Sequence, residues 1–340
     1  MTSAGEAEAS LAKYSELTRR AMEQFLPAGQ PFEYLYELMR DYPGRGGKGI
    51  RPALLLASCE AFGGRASDAV ATAVGLELLH NAFLIHDDIE DNSPIRRHRP
   101  TLHELHGTAL ALNAGDALAA LALQPLRADA AMSPRLRERL VSEFVSVVRK
   151  TTEGQALDLG WRRDGVLDVA PMDYIALAGK KTCWYTTVAP LRMGAIIGSH
   201  GTAALRDISR FGFFLGLAFQ VRDDLLDIDE QSAQGKSPLG DIREGKHTLL
   251  LIHLLLTANP AHRAWLVEFL ADENLRTASD CARVLQLMDT YGSIEFAKSF
   301  GAEMVDAARG SFPGAFAAVP ESEHLNFLRG LIDFMQLRRK

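Results

Sequence analysis

Apolar residues recur every three to four positions along almost the whole chain, and runs that alternate apolar with polar residues are scarce. That period belongs to the α-helix, and the abundance of alanine and leucine favours the same state. The pattern predicts helices over Glu6–Leu26, Pro31–Tyr42, Arg51–Phe62, Ser67–Asp91, Thr101–Ala128 and Pro134–Gly160. It continues with Pro171–Ser199, Thr202–Asp229, His247–Ala258, His262–Asp272, Ala278–Gly292, Ser293–Ser311 and Glu321–Gln336. Ser133-Pro134 and Ala170-Pro171 put proline in a first helical turn, and Thr101 with Glu104 forms a capping-box pattern. Loops are expected at Pro43–Gly49, Asn92–Pro100, Trp161–Val169 and Gln231–Gly245. With no linker, repeat or low-complexity tract, the reading is one all-α domain over residues 1–340, a bundle of long helices.

Composition narrows the function classes. The 340 residues are 47% hydrophobic and 24% charged, enough for a large core, and the net charge of −6 gives no basic excess for nucleic acid. Cys59, Cys183 and Cys281 form no C-x-x-C pair and read as reduced thiols of a cytoplasmic protein. Met1–Ser10 is polar and acidic, without the apolar stretch of a signal peptide. The most membrane-like segment, Thr108–Leu126, is interrupted by Asn113 and Asp116 and reads as a buried helix, so no membrane span is expected.

Two acidic clusters then change the picture. His86-Asp87-Asp88-Ile89-Glu90-Asp91 and Gln220-Val221-Arg222-Asp223-Asp224-Leu225-Leu226-Asp227 both contain D-D-x-x-D, each at the end of an apolar helical run. Asp87 and Asp91 are four apart, as are Asp223 and Asp227, so each pair shares a helix face. Like charges at ~4 Å repel by roughly 4 kcal/mol at an effective dielectric near 20. Hard divalent cations relieve that repulsion, and Mg²⁺ takes carboxylate oxygens together with substrate phosphates. Two such helix ends point to a site for a metal-bridged polyphosphate.

Basic segments complement them. Gly44-Arg45-Gly46-Gly47-Lys48-Gly49-Ile50-Arg51 precedes a helix, where glycine N–H groups and a helix start favour an anion. It is not a Walker A loop, because no Ser or Thr follows Lys48. Arg96 and Arg97 follow the first cluster, and arginine suits bidentate phosphate contacts. Lys181-Thr182, Lys236 and Lys246 add further charges. No Ser-His-Asp or Cys-His arrangement stands out, and a reaction that ionises a diphosphate needs none.

Together these segments resemble the trans-isoprenyl diphosphate synthases, the polyprenyl synthetase family, and most of all its geranylgeranyl diphosphate synthases. The likeness runs in family order through Gly46-Gly47-Lys48 with Arg51-Pro52, Glu77 to Asp91 with His80, Arg96-Arg97 with Pro100-Thr101, and Asn113 with Gly115-Asp116. It continues through Lys181-Thr182, Phe219-Gln220 with Asp223-Asp224 and Asp227, Gly235-Lys236, and Gly240-Asp241 with Glu244-Gly245-Lys246. It spans roughly residues 44–250. His98 departs from the glycine usual after the paired arginines, and Leu250 from a common proline.

The resemblance implies a deep central cavity, a homodimer, and head-to-tail condensation of isopentenyl diphosphate with an allylic diphosphate (dimethylallyl, geranyl or farnesyl). It implies that Asp87, Asp88, Asp91, Asp223, Asp224 and Asp227 hold three Mg²⁺ on the allylic diphosphate. Arg96, Lys181, Lys236 and Lys246 would touch that diphosphate. Lys48, Arg51, His80 and Arg97 would bind isopentenyl diphosphate, and Thr182 and Gln220 would turn oxygen dipoles to the carbocation. In the family, bulky side chains four and five residues before the first aspartate stop growth near C15. Here those positions are Phe83 and Ala82, with Leu79 and Leu76 further down the helix, so C20, geranylgeranyl diphosphate, is the expected product. The basic end, Arg338-Arg339-Lys340, is read as helping to close the site.

Three other readings compete. A class I terpene cyclase shares the first acidic motif but typically carries N-D-x-x-S-x-x-x-E where Asp223-Asp224 and Asp227 stand. A di-metal carboxylate bundle would use Glu77-x-x-His80 and Glu244-x-x-His247. A non-catalytic partner subunit would commonly have lost an acidic motif, and this chain keeps both.

Overall fold

The structure is a computed structural model that describes residues 3–128, 132–229 and 239–337. Lys236 and the basic end Arg338-Arg339-Lys340 lie outside those residues. In chain order come α1 (Ser3–Met22), a π-helical turn (Phe32–Tyr36) running into α2 (Glu37–Gly44), α3 (Ile50–Ala61) and α4 (Ala66–Glu90). A hairpin of β1 (Ile95–Arg96) and β2 (Arg99–Pro100) precedes α5 (Leu102–His106), α6 (Thr108–Leu121), α7 (Gln124–Ala128) and α8 (Pro134–Arg163). Then follow α9 (Pro171–Ala178), a π-helical stretch (Gly179–Val188), α10 (Ala189–Gly198) and α11 (Leu205–Asp227). The last described part holds α12 (Gly240–Glu244), α13 (Leu249–Thr257), α14 (Pro260–Ala271), α15 (Ala278–Thr290), α16 (Ser293–Ala315) and α17 (Glu323–Leu337). The fold is all-α, as the periodicity predicts.

α3 is buried on nearly every side, with Leu54, Leu55 and Leu56 inaccessible, so it needs no polar face. α10 and α4 pack against it, and α11 packs between α16 and the π stretch. Among the described residues, two helices are long and apolar enough to cross a membrane, Ala66–Glu90 and Thr108–Ala128. Their apolar windows are 67% and 44% buried inside the fold.

The structure departs from the sequence reading in several places, among them α12, which falls inside the loop expected over Gln231–Gly245, and the π turn at Phe32–Tyr36 within the helix expected over Pro31–Tyr42. The helix expected over Thr101–Ala128 is three helices, because Gly107 takes φ +80° between α5 and α6. The Thr101 hydroxyl does not cap α5, and it is buried without a hydrogen-bond partner. Part of the Asn92–Pro100 loop is the β1–β2 hairpin. The helix over Pro171–Ser199 keeps its course but widens to π over Gly179–Val188. The widened stretch packs closely on α8. A Cβ on Gly154 of α8 would stand 2.4 Å from the Lys181 nitrogen, so only glycine lets the two backbones meet there. π turns within α-helices often mark functional positions, and this one carries Lys181 and Thr182.

Candidate active site

α4 and α11 both deliver carboxylates with their last turns, where the helix dipole disfavours negative charge. Such an arrangement needs nearby cations, and the structure supplies four. Lys181 of the π stretch pairs with Asp158 of α8 and lies 3.9 Å from Asp87. Arg162, at the end of α8, reaches Asp91 at 2.8 Å. Lys246 reaches Asp91 at 2.8 Å and Asp241 at 3.5 Å, and pairs with Glu244. Arg96 lies 3.5 Å from Asp87 and donates to Asp88.

Of these groups Asp87, Arg96, Asp158, Lys181, Asp241 and Lys246 border one cavity of about 600 Å³. Its acidic wall holds Asp87, Asp223, Asp224 and Asp227, joined by Asp158 and Asp241. Asp88 does not line it. Its carboxylate is fully buried, accepting from Arg96 Nε at 2.9 Å, from Arg96 Nη2 and from the Tyr42 hydroxyl. Asp91 also stands behind the wall, between Arg162 and Lys246. Asp224 accepts from the Tyr174 hydroxyl at 2.8 Å and from Gln220 Nε2 at 2.7 Å. Burial, with Asp241 and Asp223 nearby, pushes its carboxyl up to about 7. The main chain of Asp241 donates to Asp227 at 3.0 Å, which ties α12 to the end of α11.

A second part of the lining is basic. The Gly44–Gly49 segment turns into α3 at Gly49, with Lys48 on the lining and Arg51 in the first turn. Arg51 donates to the Tyr185 hydroxyl at 2.7 Å and to Thr186 at 2.9 Å, and lies 3.1 Å from His80 Nε2. Burial, and the nearby Arg51 and Arg97, hold the His80 imidazolium well below its ordinary pKa, so the neutral ring accepts from Arg51. Arg97 donates to the carbonyls of Tyr42 and Gly46. Arg97 and His98 form the two-residue turn of the hairpin, at φ +52° and +62°. Such turns favour glycine or asparagine, so His98 is held in a backbone region glycine would occupy without strain. Leu250, in the first turn of α13, is buried in the core.

Most of the residues singled out from sequence therefore meet at one place. Lys48, Arg51, His80, Asp87, Arg96, Arg97, Lys181, Thr182, Gln220, Asp223, Asp224, Asp227 and Lys246 all line the cavity. Lys236 is outside the described residues. Ala82, Leu79 and Leu76 are buried in the core, and Phe83 packs edge-on against Tyr185 with ring centroids 5.8 Å apart. None of these four is part of the cavity lining, which on α4 runs through Glu77, His80, Leu84 and Asp87. The two Glu-x-x-His pairs have other partners: His80 faces Arg51, Glu244 holds Lys246, and His247 contacts the Val166 carbonyl.

Sequence reasoning missed Asp158, Arg162, Tyr42, Tyr174 and Tyr185. Single polar residues inside helices carry no motif of their own. Asp241 stood within a recognised segment without a role of its own, and Glu244 had one only in the rival di-metal reading. Glu77, a site residue only in the di-metal reading, also lines the cavity; burial raises its carboxyl, and the nearby Arg51 and Arg97 oppose that rise.

Among the described residues no three acidic, histidine or cysteine side chains converge closely enough to hold a metal ion by themselves. The donor set nonetheless fits Mg²⁺: it is all carboxylate oxygen, and burial together with the neighbouring Asp241 and Asp223 raises one carboxyl to about 7. The polyprenyl synthetase family profile matches residues 32–289. The chain belongs to the polyprenyl synthetase family. It is therefore a prenyltransferase. It is 36% identical over 303 residues to a short chain isoprenyl diphosphate synthase from Methanothermobacter thermautotrophicus, covering 88% of this chain and 90% of that one. The crystal structure of a geranylgeranyl pyrophosphate synthetase from Pyrococcus horikoshii superposes with a TM-score of 0.85 at 31% identity, covering 97% of this chain and 99% of that one. A geranylgeranyl pyrophosphate synthase from Corynebacterium glutamicum, complexed with isoprenyl diphosphate and magnesium, gives a TM-score of 0.87 at 25% identity. That match covers 96% of this chain and 99% of the other.

Proposed function

We propose that this prenyltransferase condenses isopentenyl diphosphate head-to-tail with an allylic diphosphate, with geranylgeranyl diphosphate as its main product. One observation carries the reading: a carboxylate cluster and an arginine–histidine cluster line the same cavity. A terpene cyclase, with one diphosphate to bind, has no use for the second cluster.

The allylic diphosphate lies against Asp87, Asp223, Asp224 and Asp227, with Asp91 close behind, and against Arg96, Lys181 and Lys246; Lys236, outside the described residues, is the fourth cation expected from the resemblance. Three Mg²⁺ bound there would neutralise the diphosphate and stabilise the charge that develops as it leaves. Asp88 acts from behind the wall, holding Arg96 in place. Lys48, Arg51, His80 and Arg97 bind isopentenyl diphosphate. The allylic C–O bond breaks with its electron pair on the diphosphate, and the double bond of isopentenyl diphosphate forms the new C–C bond. Loss of a proton to the departed diphosphate leaves the product double bond. Gln220 directs its amide N–H to Asp224, so its carbonyl oxygen is the end left for the cation, and Thr182 lines the same cavity. The chain works as one domain and as a cytoplasmic homodimer, a reading supported by exposed Leu105 and Leu112 on adjoining helices and by three reduced, buried cysteines.

The direct test is product analysis after incubation with isopentenyl diphosphate, Mg²⁺ and each allylic starter. A C20 diphosphate is expected. A hydrocarbon or terpene alcohol from geranylgeranyl diphosphate alone would replace this reading with the cyclase.

The two diphosphate sites should separate by mutation. Lys48→Ala or Arg51→Ala is expected to raise the KM for isopentenyl diphosphate by about tenfold or more, the worth of a charge-assisted contact. Lys181→Ala should act mainly on the allylic substrate. Steady-state kinetics with each substrate varied decides, and equal effects on both substrates at all three positions would count against the assignment.

Magnesium use should depend on pH. With a native value of about 7 against 3.8 for the isolated side chain, the Asp224 carboxyl favours its proton in the folded protein. Its contribution to stability is fully present below 3.8 and is lost as pH rises through about 7. A cation must displace that proton, so half-saturating Mg²⁺ should rise by about tenfold as pH falls from 8 to 6. A flat Mg²⁺ requirement over that range would remove Asp224 from the metal site.

A further inference from the structure

We propose that Tyr185 limits product length from the wall opposite α4, and that its hydroxyl, through Arg51, ties that limit to the isopentenyl diphosphate site. The inference rests on the chain-elongation reading above and adds a residue that the acidic motif and its upstream positions do not contain.

Tyr185 sits in the π stretch, three residues beyond Thr182, and lines the cavity with it. Its ring is fixed at both ends. The hydroxyl accepts from Arg51 Nη2 at 2.7 Å, and the Arg51 guanidinium lies 4.3 Å from the ring centroid. At the other end the ring meets Phe83 at 89°, with centroids 5.8 Å apart, and His80 lies 5.9 Å away. One aromatic ring thus touches two residues of the basic wall and the only aromatic of the four length-setting positions on α4.

The lining explains why this matters. Ala82, Leu79 and Leu76 are packed in the core, while Tyr185 and Leu84 border the cavity directly. A growing chain that descends beside α4 reaches the Phe83–Tyr185 contact before it can pass Ala82. To continue it must part the two rings. Phe83 is anchored only by packing, whereas moving Tyr185 also breaks a hydrogen bond to a full charge and its cation–π contact. Tyr185 is therefore the stiffer half of the barrier, and the hydroxyl supplies the stiffness.

The test compares product distributions of the wild type, Tyr185→Phe and Tyr185→Ala, with isopentenyl diphosphate in excess and products identified by mass. Tyr185→Phe keeps the ring and its volume but releases it from Arg51. Its products should shift toward one isoprene unit longer, with the KM for isopentenyl diphosphate raised up to about tenfold. Tyr185→Ala should shift the distribution further. A purely structural role for Tyr185 would lower the melting temperature without moving product length. Wild-type distributions from both variants overturn the inference, even if the KM rises. Because the readout is the shift relative to wild type, a wild-type product other than C20 would overturn the assigned length and leave the Tyr185 comparison decisive.

Discussion

Chelation of Mg²⁺, or replacement of Asp87 or Asp223 by alanine, should lower turnover by roughly 10³-fold or more, because charge stabilisation of a leaving diphosphate is the main catalytic effect the site can supply. Asp87, Asp223, Asp224 and Asp227 border the same cavity as Asp158 and Asp241. A diphosphate cannot approach that wall without cations, since each close pair of like charges costs on the order of 4 kcal/mol even at an effective dielectric near 20. Asp87 is 26% exposed where Asp88 is sealed, and although it accepts from Gln155 at 3.3 Å, the cations beside it keep other carboxylates, Lys181 with Asp158 and Arg96 with Asp88. Asp87→Ala should therefore fold normally and fail in chemistry. Asp88→Ala gives the contrasting result. It strands a buried guanidinium and the Tyr42 hydroxyl, at a cost of about 3–5 kcal/mol. Rate measurements in EDTA, together with melting curves of the two variants, separate these roles. Near-normal rates in EDTA would sink the metal-bridged mechanism, and equal melting temperatures for the two variants would sink the division of labour between neighbouring aspartates.

The second large effect is on product length. Ala82→Phe should shorten the main product from C20 to C15, and Phe83→Ala should lengthen it. Positions four and five residues before Asp87 lie about 6–7.5 Å deeper along α4, at ~1.5 Å per residue. Ala82 is fully buried, so a phenyl group there must displace neighbours at a cost of about 1–3 kcal/mol and will narrow any passage a growing chain can open. Phe83 meets Tyr185 edge-on, and removing its ring takes away half of the barrier. Products made in excess isopentenyl diphosphate, dephosphorylated and identified by mass, decide the matter. A wild-type enzyme that stops at C15 would show that Ala82 does not open the passage.

Much of this was legible in the amino-acid sequence. The 3.6-residue period gave the helices, because a helix that buries one face must repeat its apolar residues at that interval. The four-residue spacing within each D-D-x-x-D placed Asp87 with Asp91, and Asp223 with Asp227, one turn apart, since that geometry is set by the helix backbone alone. The ordered motifs from Gly46 to Lys246 carried the family and its reaction, and the family profile covers those residues.

Tertiary structure alone decided which way each group points and what it meets. Asp87 and Asp88 are chain neighbours of the same type, yet Asp87 borders the cavity and Asp88 is sealed against Tyr42, a residue 46 positions away. Neighbours on a helix point about 100° apart, and the burial of each direction depends on helices packed from elsewhere in the chain. The π stretch and its meeting with α8 at Gly154 were equally invisible to a local reading. So were the pairing of Lys181 with Asp158 and of Arg51 with Tyr185, partners 23 and 134 positions apart. Periodicity and spacing are properties of one helix; the choice among carboxylates, and the Phe83–Tyr185 contact proposed to limit the product, arise only where several helices meet.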